Sequence, residues 1–236
     1  MENFANKYFD KIWCLTSLDK KRIEACNKEF SKYGFDITYY YNPINPIVKA
    51  CCKLYYETDY YLECANRNGY ASVFNAVASC FVGHYNIIKT SYELGFDKIL
   101  IMEDDIKFID NIKLDNIFKQ IPKKWDVLNF YCPTHRHKET CDMRTYKNLV
   151  KDFSGIETDF WEKVNEITDY RGNVMYALSR KAMKTYLDYY DKNNPTLADA
   201  HYKFYNPKKI LFYIHRYNII DIKKHTSTIT YNEDIN

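Results

Sequence analysis

Hydrophobic and polar positions along the chain fall into two kinds of segment. Short, nearly uninterrupted apolar runs predict strands buried on both faces, over 11–16 (KIWCLT), 98–102 (KILIM), 125–130, 174–178 and 210–214. Longer stretches repeat apolar residues at helical spacing. One covers 19–33, with Ile23, Cys26 or Asn27, and Phe30 on one face, Ser17 or Asp19 as cap and Gly34 as stop. Another covers 71–94, with Phe74, Val77, Phe81, Ile88 and Tyr92 recurring and Gly95 at its end. Shorter helices are expected over 114–121, stopped by Pro122, over 179–190 and over 196–206. Residues 35–41 read as a further strand closed by Pro43 and Pro46, whereas 47–68 has no clean period and 132–172 is polar and irregular with helical patches. Strands alternating with helices predict an α/β fold: a mostly parallel, doubly wound sheet flanked by helices, in one domain over 1–236.

Composition changes this picture little. The 236 residues are 46% hydrophobic and 28% charged, enough apolar matter for one large core. Tyrosine, at 24 copies, is abundant in the way an AT-rich coding bias produces. A net charge of +3 without a concentrated basic block argues against nucleic acid as the main partner, leaving acidic small molecules or a membrane surface. Eight cysteines include no CxxC pair, and those in Ile12-Trp13-Cys14-Leu15 and Ala78-Ser79-Cys80-Phe81-Val82 sit where a thiol serves as a small buried hydrophobe. The first residues lack the pattern of a signal peptide, and no apolar run reaches membrane-spanning length. Reduced thiols in a cytoplasmic protein, with peripheral membrane contact left open, are the expectation.

The stretch Ile99-Leu100-Ile101-Met102-Glu103-Asp104-Asp105 carries the chemistry. A buried strand delivers three consecutive carboxylates at its C-terminal end, where open α/β sheets bind ligands. Their mutual repulsion calls for compensation, and oxygen-only ligands suit Mn²⁺ or Mg²⁺. In an extended segment Glu103 and Asp105 share one side and Asp104 takes the other. A solvated acidic turn is the alternative, against which the buried strand and the long helix before it both weigh.

Several blocks together resemble glycosyltransferase family 25, the lipooligosaccharide and procollagen galactosyltransferase type. The family's opening "INLD…R…R" is similar to Cys14-Leu15-Thr16-Ser17-Leu18-Asp19 leading into Lys21-Arg22, with Thr-Ser in place of the usual Asn. Its "GxxxSH…A…G…xLILEDD" looks like Ser79 to His84, then Ser91 to Gly95, then residues 98–105, with Gly83 replacing a Ser. "G…AYLIS…A" resembles the stretch from Gly172 to Ala182, and a "PxD" element resembles Pro195-Thr196-Leu197-Ala198-Asp199, longer by two residues. The likeness runs from about residue 10 to about residue 225. It implies a GT-A fold, a nucleotide-sugar donor such as a UDP-sugar, a glycan, lipid-linked glycan or glycoprotein acceptor, and inversion at the anomeric carbon.

Roles follow from that resemblance. Asp105 is the candidate direct metal ligand; Glu103 is expected on the metal, on its water or on the ribose. Asp104 organises the turn or receives a positive neighbour. Leu15, Thr16 and Ser17 line the nucleotide, and Arg22 pairs with Asp104 or with a phosphate. His84 is expected in the donor site or supporting a residue of it, and a late histidine, His215 ahead of His201, completes the metal set. Asp199 is the candidate base, ahead of Asp188, Asp191 and Asp169, and His135-Arg136-His137 falls in a polar loop. Two other readings are a metal-dependent phosphohydrolase or nucleotidyltransferase and a non-catalytic module of the same fold. Phosphomonoester hydrolysis without nucleotide-sugar turnover marks the first, and nucleotide binding without turnover marks the second.

Overall fold

The continuous apolar runs become strands with no solvent-facing side. The computed structural model describes residues 5–16, 20–41, 70–109, 112–131, 161–163, 174–191, 209–215 and 219–222. Its strands are β1 (Lys11–Thr16), β2 (Thr38–Tyr41), β3 (Lys98–Glu103), β4 (Ile106–Phe108), β5 (Val127–Asn129), β6 (Trp161–Lys163), β7 (Met175–Ser179), β8 (Phe212–His215) and β9 (Ile220–Ile222). Its helices are α1 (Lys20–Ser31), α2 (Tyr70–Glu93), α3 (Leu114–Lys119) and α4 (Arg180–Tyr190).

Seven strands form one sheet in the order β2-β1-β3-β7-β5-β8-β6, and β4 and β9 form a separate antiparallel ladder. β1, β2, β3, β5 and β8 run one way; β7 and β6 run against them. The α/β class and the flanking helices are as expected, but the sheet is mixed rather than purely parallel. Strand–helix alternation implies parallel neighbours only where a crossover joins them directly, and β7 lies between β3 and β5 without following β3 in the chain.

Each face of this sheet has its own core. Ile12, Cys14, Leu100 and Met102 point to one, under Cys26 and Phe30 of α1 and Leu114, Ile117 and Phe118 of α3. Trp13, Leu15, Ile99 and Ile101 point to the other, under Ile87 and Ile88 of α2 and Ala182, Met183, Tyr186 and Leu187 of α4. Cys26, not Asn27, takes the inward position on α1. Gly34 and Gly95 follow α1 and α2 with φ of 65° and 84°, the left-handed turn at which a helix stops readily. Ser179 caps α4 by accepting from the Ala182 amide at 3.2 Å.

Several elements are shorter than the pattern implied: β2 begins at Thr38, although Phe35 and Ile37 still pack on the core. The three-residue strands β4, β6 and β9 were not anticipated; β6 lies in the stretch expected to be irregular, with helical patches. The β4–β9 ladder caps the α1-side core through Ile106, Phe108, Ile219 and Ile220. Asp126, just before β5, ties three elements together by accepting from Ser179 Oγ (3.0 Å), Lys181 Nζ (2.9 Å) and the Leu211 amide (2.8 Å). The expected cap Asp19, the helix over 196–206 and Asp169 lie outside the described residues. No described helix is long and apolar enough to cross a membrane.

Candidate active site

β1 and β3 are parallel neighbours, so their C-terminal ends open at the same sheet edge, with Leu15 in register with Glu103. Glu103 is the last residue of β3 and, by alternation from Ile99 and Ile101, faces α2. There His84 Nε2 lies 3.2 Å from its Oε1, and Cys80 Sγ lies 3.8 Å from the same oxygen. Cys80 and His84 are four residues apart on α2, one helical turn, and so reach the same spot. The fully buried His84 ring shares a second hydrogen bond, of 2.9 Å, between Nδ1 and the Tyr176 hydroxyl of β7.

Beyond Glu103 the chain leaves the extended conformation. Asp104 and Asp105 form a turn into β4, so the expected alternation of the three acids does not apply. Arg22 of α1 ion-pairs with Asp104, and the same guanidinium nitrogen stands 3.7 Å from Asp105 Oδ2. The Cys26 thiol donates to the Asp104 carbonyl at 3.0 Å, fastening the turn to α1 from beneath. Asp104 is thus held by the protein, as one of the two expectations for Arg22 had it.

Asp105 is the incompletely compensated acid. Its Oδ1 is buried and has no hydrogen-bond partner among the described residues. Burial first, and then the charge of Glu103, push its carboxyl up to about 7 against the downward pull of Arg22. A buried carboxylate in that state stabilises either a proton or a cation placed against it. Hard divalent ions take carboxylate oxygens of this kind as ligands.

The structure brings together Leu15, Thr16, Arg22, His84, Glu103, Asp104 and Asp105 around the ends of β1 and β3. Leu15 and Thr16 are buried there. Ser17, Asp199, His201 and His135-Arg136-His137 lie outside the described residues. Asp188 pairs with Lys184, and Asp191 accepts from Tyr85, so both acids have partners away from the acidic turn.

His215 is not brought to the acids. β8 is three strands from β3, roughly 14 Å at ordinary strand spacing. Ile214 belongs to the core under α2, so His215 points to the opposite face, where its buried ring meets Trp161 edge-on at 5.2 Å. Conversely, Cys80, read from the sequence as a buried hydrophobe, is half-buried and faces Glu103. Its spacing of four from His84 was the available signal.

No curated protein matches the chain significantly. Among solved structures, protein A197 from STIV aligns over 86% of this chain and 79% of its own, at 10% identity and a TM-score of 0.40. A glycosyltransferase involved in the glycosylation of the major capsid of PBCV-1 aligns over 87% and 81%, at 9% identity and a TM-score of 0.42. Mouse xyloside xylosyltransferase 1, in its apo form, aligns over 87% and 72%, at 10% identity and a TM-score of 0.35. The family model of glycosyltransferase family 25 (LPS biosynthesis protein) matches residues 61–202, which is more than half of the chain and contains α2, the acidic strand end, β7 and α4. The chain belongs to glycosyltransferase family 25 and is a glycosyltransferase.

Proposed function

We propose that this glycosyltransferase takes its sugar from a nucleoside-diphosphate donor, probed first as a UDP-sugar, and passes it with inversion to a hydroxyl of a glycan acceptor. The observation that carries the reading is Asp105, a buried carboxylate with one oxygen that has no hydrogen-bond partner among the described residues, beside two further acids at the shared end of a parallel strand pair. Asp105 and Glu103 would hold Mn²⁺ or Mg²⁺, while the placement of His215 removes it from that set. The cation, when bound, supplies Lewis-acid stabilisation of the leaving diphosphate.

The chain's own residues do the rest. Arg22 pairs with Asp104 and fixes the turn, so that Asp105 stays aimed at the ligand. His84 and Tyr176 set the direction of Glu103. Leu15, Thr16 and Ser17 form the wall against which the nucleotide lies. Asp199, within the matched family segment, takes the proton of the acceptor hydroxyl on the face away from the diphosphate. The family's description points to a lipopolysaccharide-type, lipid-linked acceptor. Work at the cytoplasmic surface of a membrane suits such an acceptor.

Calorimetry with UDP and the other nucleoside diphosphates, with Mn²⁺ and with chelator, tests the donor site. Metal-dependent binding of one diphosphate is expected, and equal binding in chelator would overturn the metal reading. Asp199→Asn tests the base: turnover should fall roughly a hundredfold with donor affinity unchanged. Unchanged turnover moves the base elsewhere, first to the acids of 152–169.

A further inference from the structure

The group on the α2 side of Glu103 differs in chemistry from the acidic turn. We propose that Cys80, His84 and Glu103 form a second cation site, selective for a borderline ion such as Zn²⁺ over Mn²⁺ or Mg²⁺. One sulfur, one imidazole nitrogen and one carboxylate oxygen lie within 4.8 Å of one another. The two separations to Glu103 Oε1 are 3.2 and 3.8 Å. Tetrahedral zinc with these ligands sets them about 3.3–3.6 Å apart, so a bound ion has to draw the sulfur and nitrogen together by about 1.3 Å at most.

Three further features favour such a site. Cys80 and His84 come from one turn of a rigid helix and Glu103 from the adjoining strand end, so the site is pre-positioned. Tyr176 holds the ring nitrogen that faces away from the site. With zinc on Nε2, Nδ1–H donates to the Tyr176 oxygen, which is the outer-sphere contact a ligating imidazole requires. The hydroxyl both donates and accepts, so the same contact also serves the metal-free tautomer. Finally, His84 is buried while Cys80 and Glu103 are part-exposed, which leaves the outer side open for a fourth ligand. A thiolate and a carboxylate balance the charge of a divalent ion, and the sulfur disfavours Mg²⁺ and Mn²⁺. Because Glu103 would then be engaged, zinc should inhibit Mn²⁺-supported transfer; this consequence alone rests on the donor-site reading above.

The test uses the full chain, freed of metal and titrated with Co²⁺ and then Zn²⁺ in excess Mg²⁺. One tightly bound Co²⁺ is expected, with an intense tetrahedral visible spectrum and a thiolate charge-transfer band that Zn²⁺ abolishes. Cys80→Ser should remove that band and weaken binding at least a hundredfold. Tyr176→Phe should keep the band and weaken binding roughly tenfold to a hundredfold. No stoichiometric Co²⁺ in the folded wild-type protein, or an unchanged band in Cys80→Ser, overturns the site. Circular dichroism confirms that each variant is folded, and Cys80→Ala replaces Cys80→Ser should the latter unfold. Zinc inhibition of the wild type but not of Cys80→Ser supports the coupling to transfer. A cobalt band in a protein that transfers no sugar would leave this site standing and sink the donor assignment instead.

Discussion

The two sides of the β3 strand end treat adjacent carboxylates differently. On the α2 side, Glu103 is part-exposed and meets an imidazole and a thiol. On the α1 side, Asp104 is locked to Arg22, and Asp105 is left buried with one oxygen unanswered. A continued extended strand would put Glu103 and Asp105 on one side and Asp104 on the other. The difference comes from the turn after Glu103, which swings the next two residues toward α1, and from what each helix offers there. The α1 side holds its carboxylates inside the protein, and the α2 side leaves its carboxylate part-exposed.

The sharpest way to break this contrast is Asp105→Asn. It removes the uncompensated charge with almost no change of volume. Transfer in saturating Mn²⁺ should fall on the order of a thousandfold, the several kcal/mol that metal stabilisation of a leaving group supplies. Stability in urea, measured without metal, should stay level or rise because a buried charge is gone. Near-normal turnover would mean that Asp105 holds no cation.

Arg22→Ala attacks the other half of the α1 side. The Arg22 and Asp104 side chains are 12% and 5% exposed, so removal of one partner strands a buried charge. A loss of about 3 kcal/mol is expected by denaturant unfolding, with more than half returned by adding Asp104→Asn. A loss under about 1 kcal/mol would show the pair to be solvated. Glu103→Gln is the milder counterpart on the α2 side. It keeps the hydrogen bond to His84, so stability should move by less than about 1 kcal/mol while donor affinity drops about tenfold. A stability loss as large as that of Arg22→Ala would erase the contrast.

How much of this was legible depended on length and on the range of the interaction. β1, β3, β7, α2 and α4 announced themselves because each apolar run or stripe is long enough to show its period; Gly95 marks the end of α2, and Ser179 the passage from β7 to α4. β4, β6 and β9, at three residues each, are too short to display any period, and the pairing of β4 with β9 joins residues more than a hundred apart in the chain. At the site, the acid triplet was visible as the end of a buried apolar run, whereas Arg22 was singled out by a resemblance and its pairing with Asp104 was one of two alternatives. The position of His215 was not legible, since it depends on strand order and on which sheet face β8 presents. Cys80 was missed for a different reason: a thiol in an apolar run looks the same whether it faces a core or a carboxylate.

The smallest effect discriminates the two sides without any substitution. Cys80 lies part-exposed beside Glu103, whereas Cys14 and Cys26 are buried beneath the acidic turn, and none of the three is in a disulfide. Burial first, with the neighbouring Cys26 adding to it, pushes the Cys14 thiol well up, so little thiolate forms there. Alkylation requires both access and thiolate. In the native protein, peptide-level mass spectrometry should therefore find Cys80 modified at least about tenfold faster than Cys14 or Cys26. The two buried thiols should react only as the α1 side opens, at rates that rise with denaturant. A nucleoside diphosphate with Mn²⁺ should slow Cys80 by covering Glu103 and leave the other two unchanged. Equal rates at Cys80 and Cys26 in native buffer would show that the turn and α1 separate readily, and Arg22 would then be no lock. Unchanged alkylation of Cys80 with nucleotide and Mn²⁺ present would mean that the bound ligand does not cover Glu103.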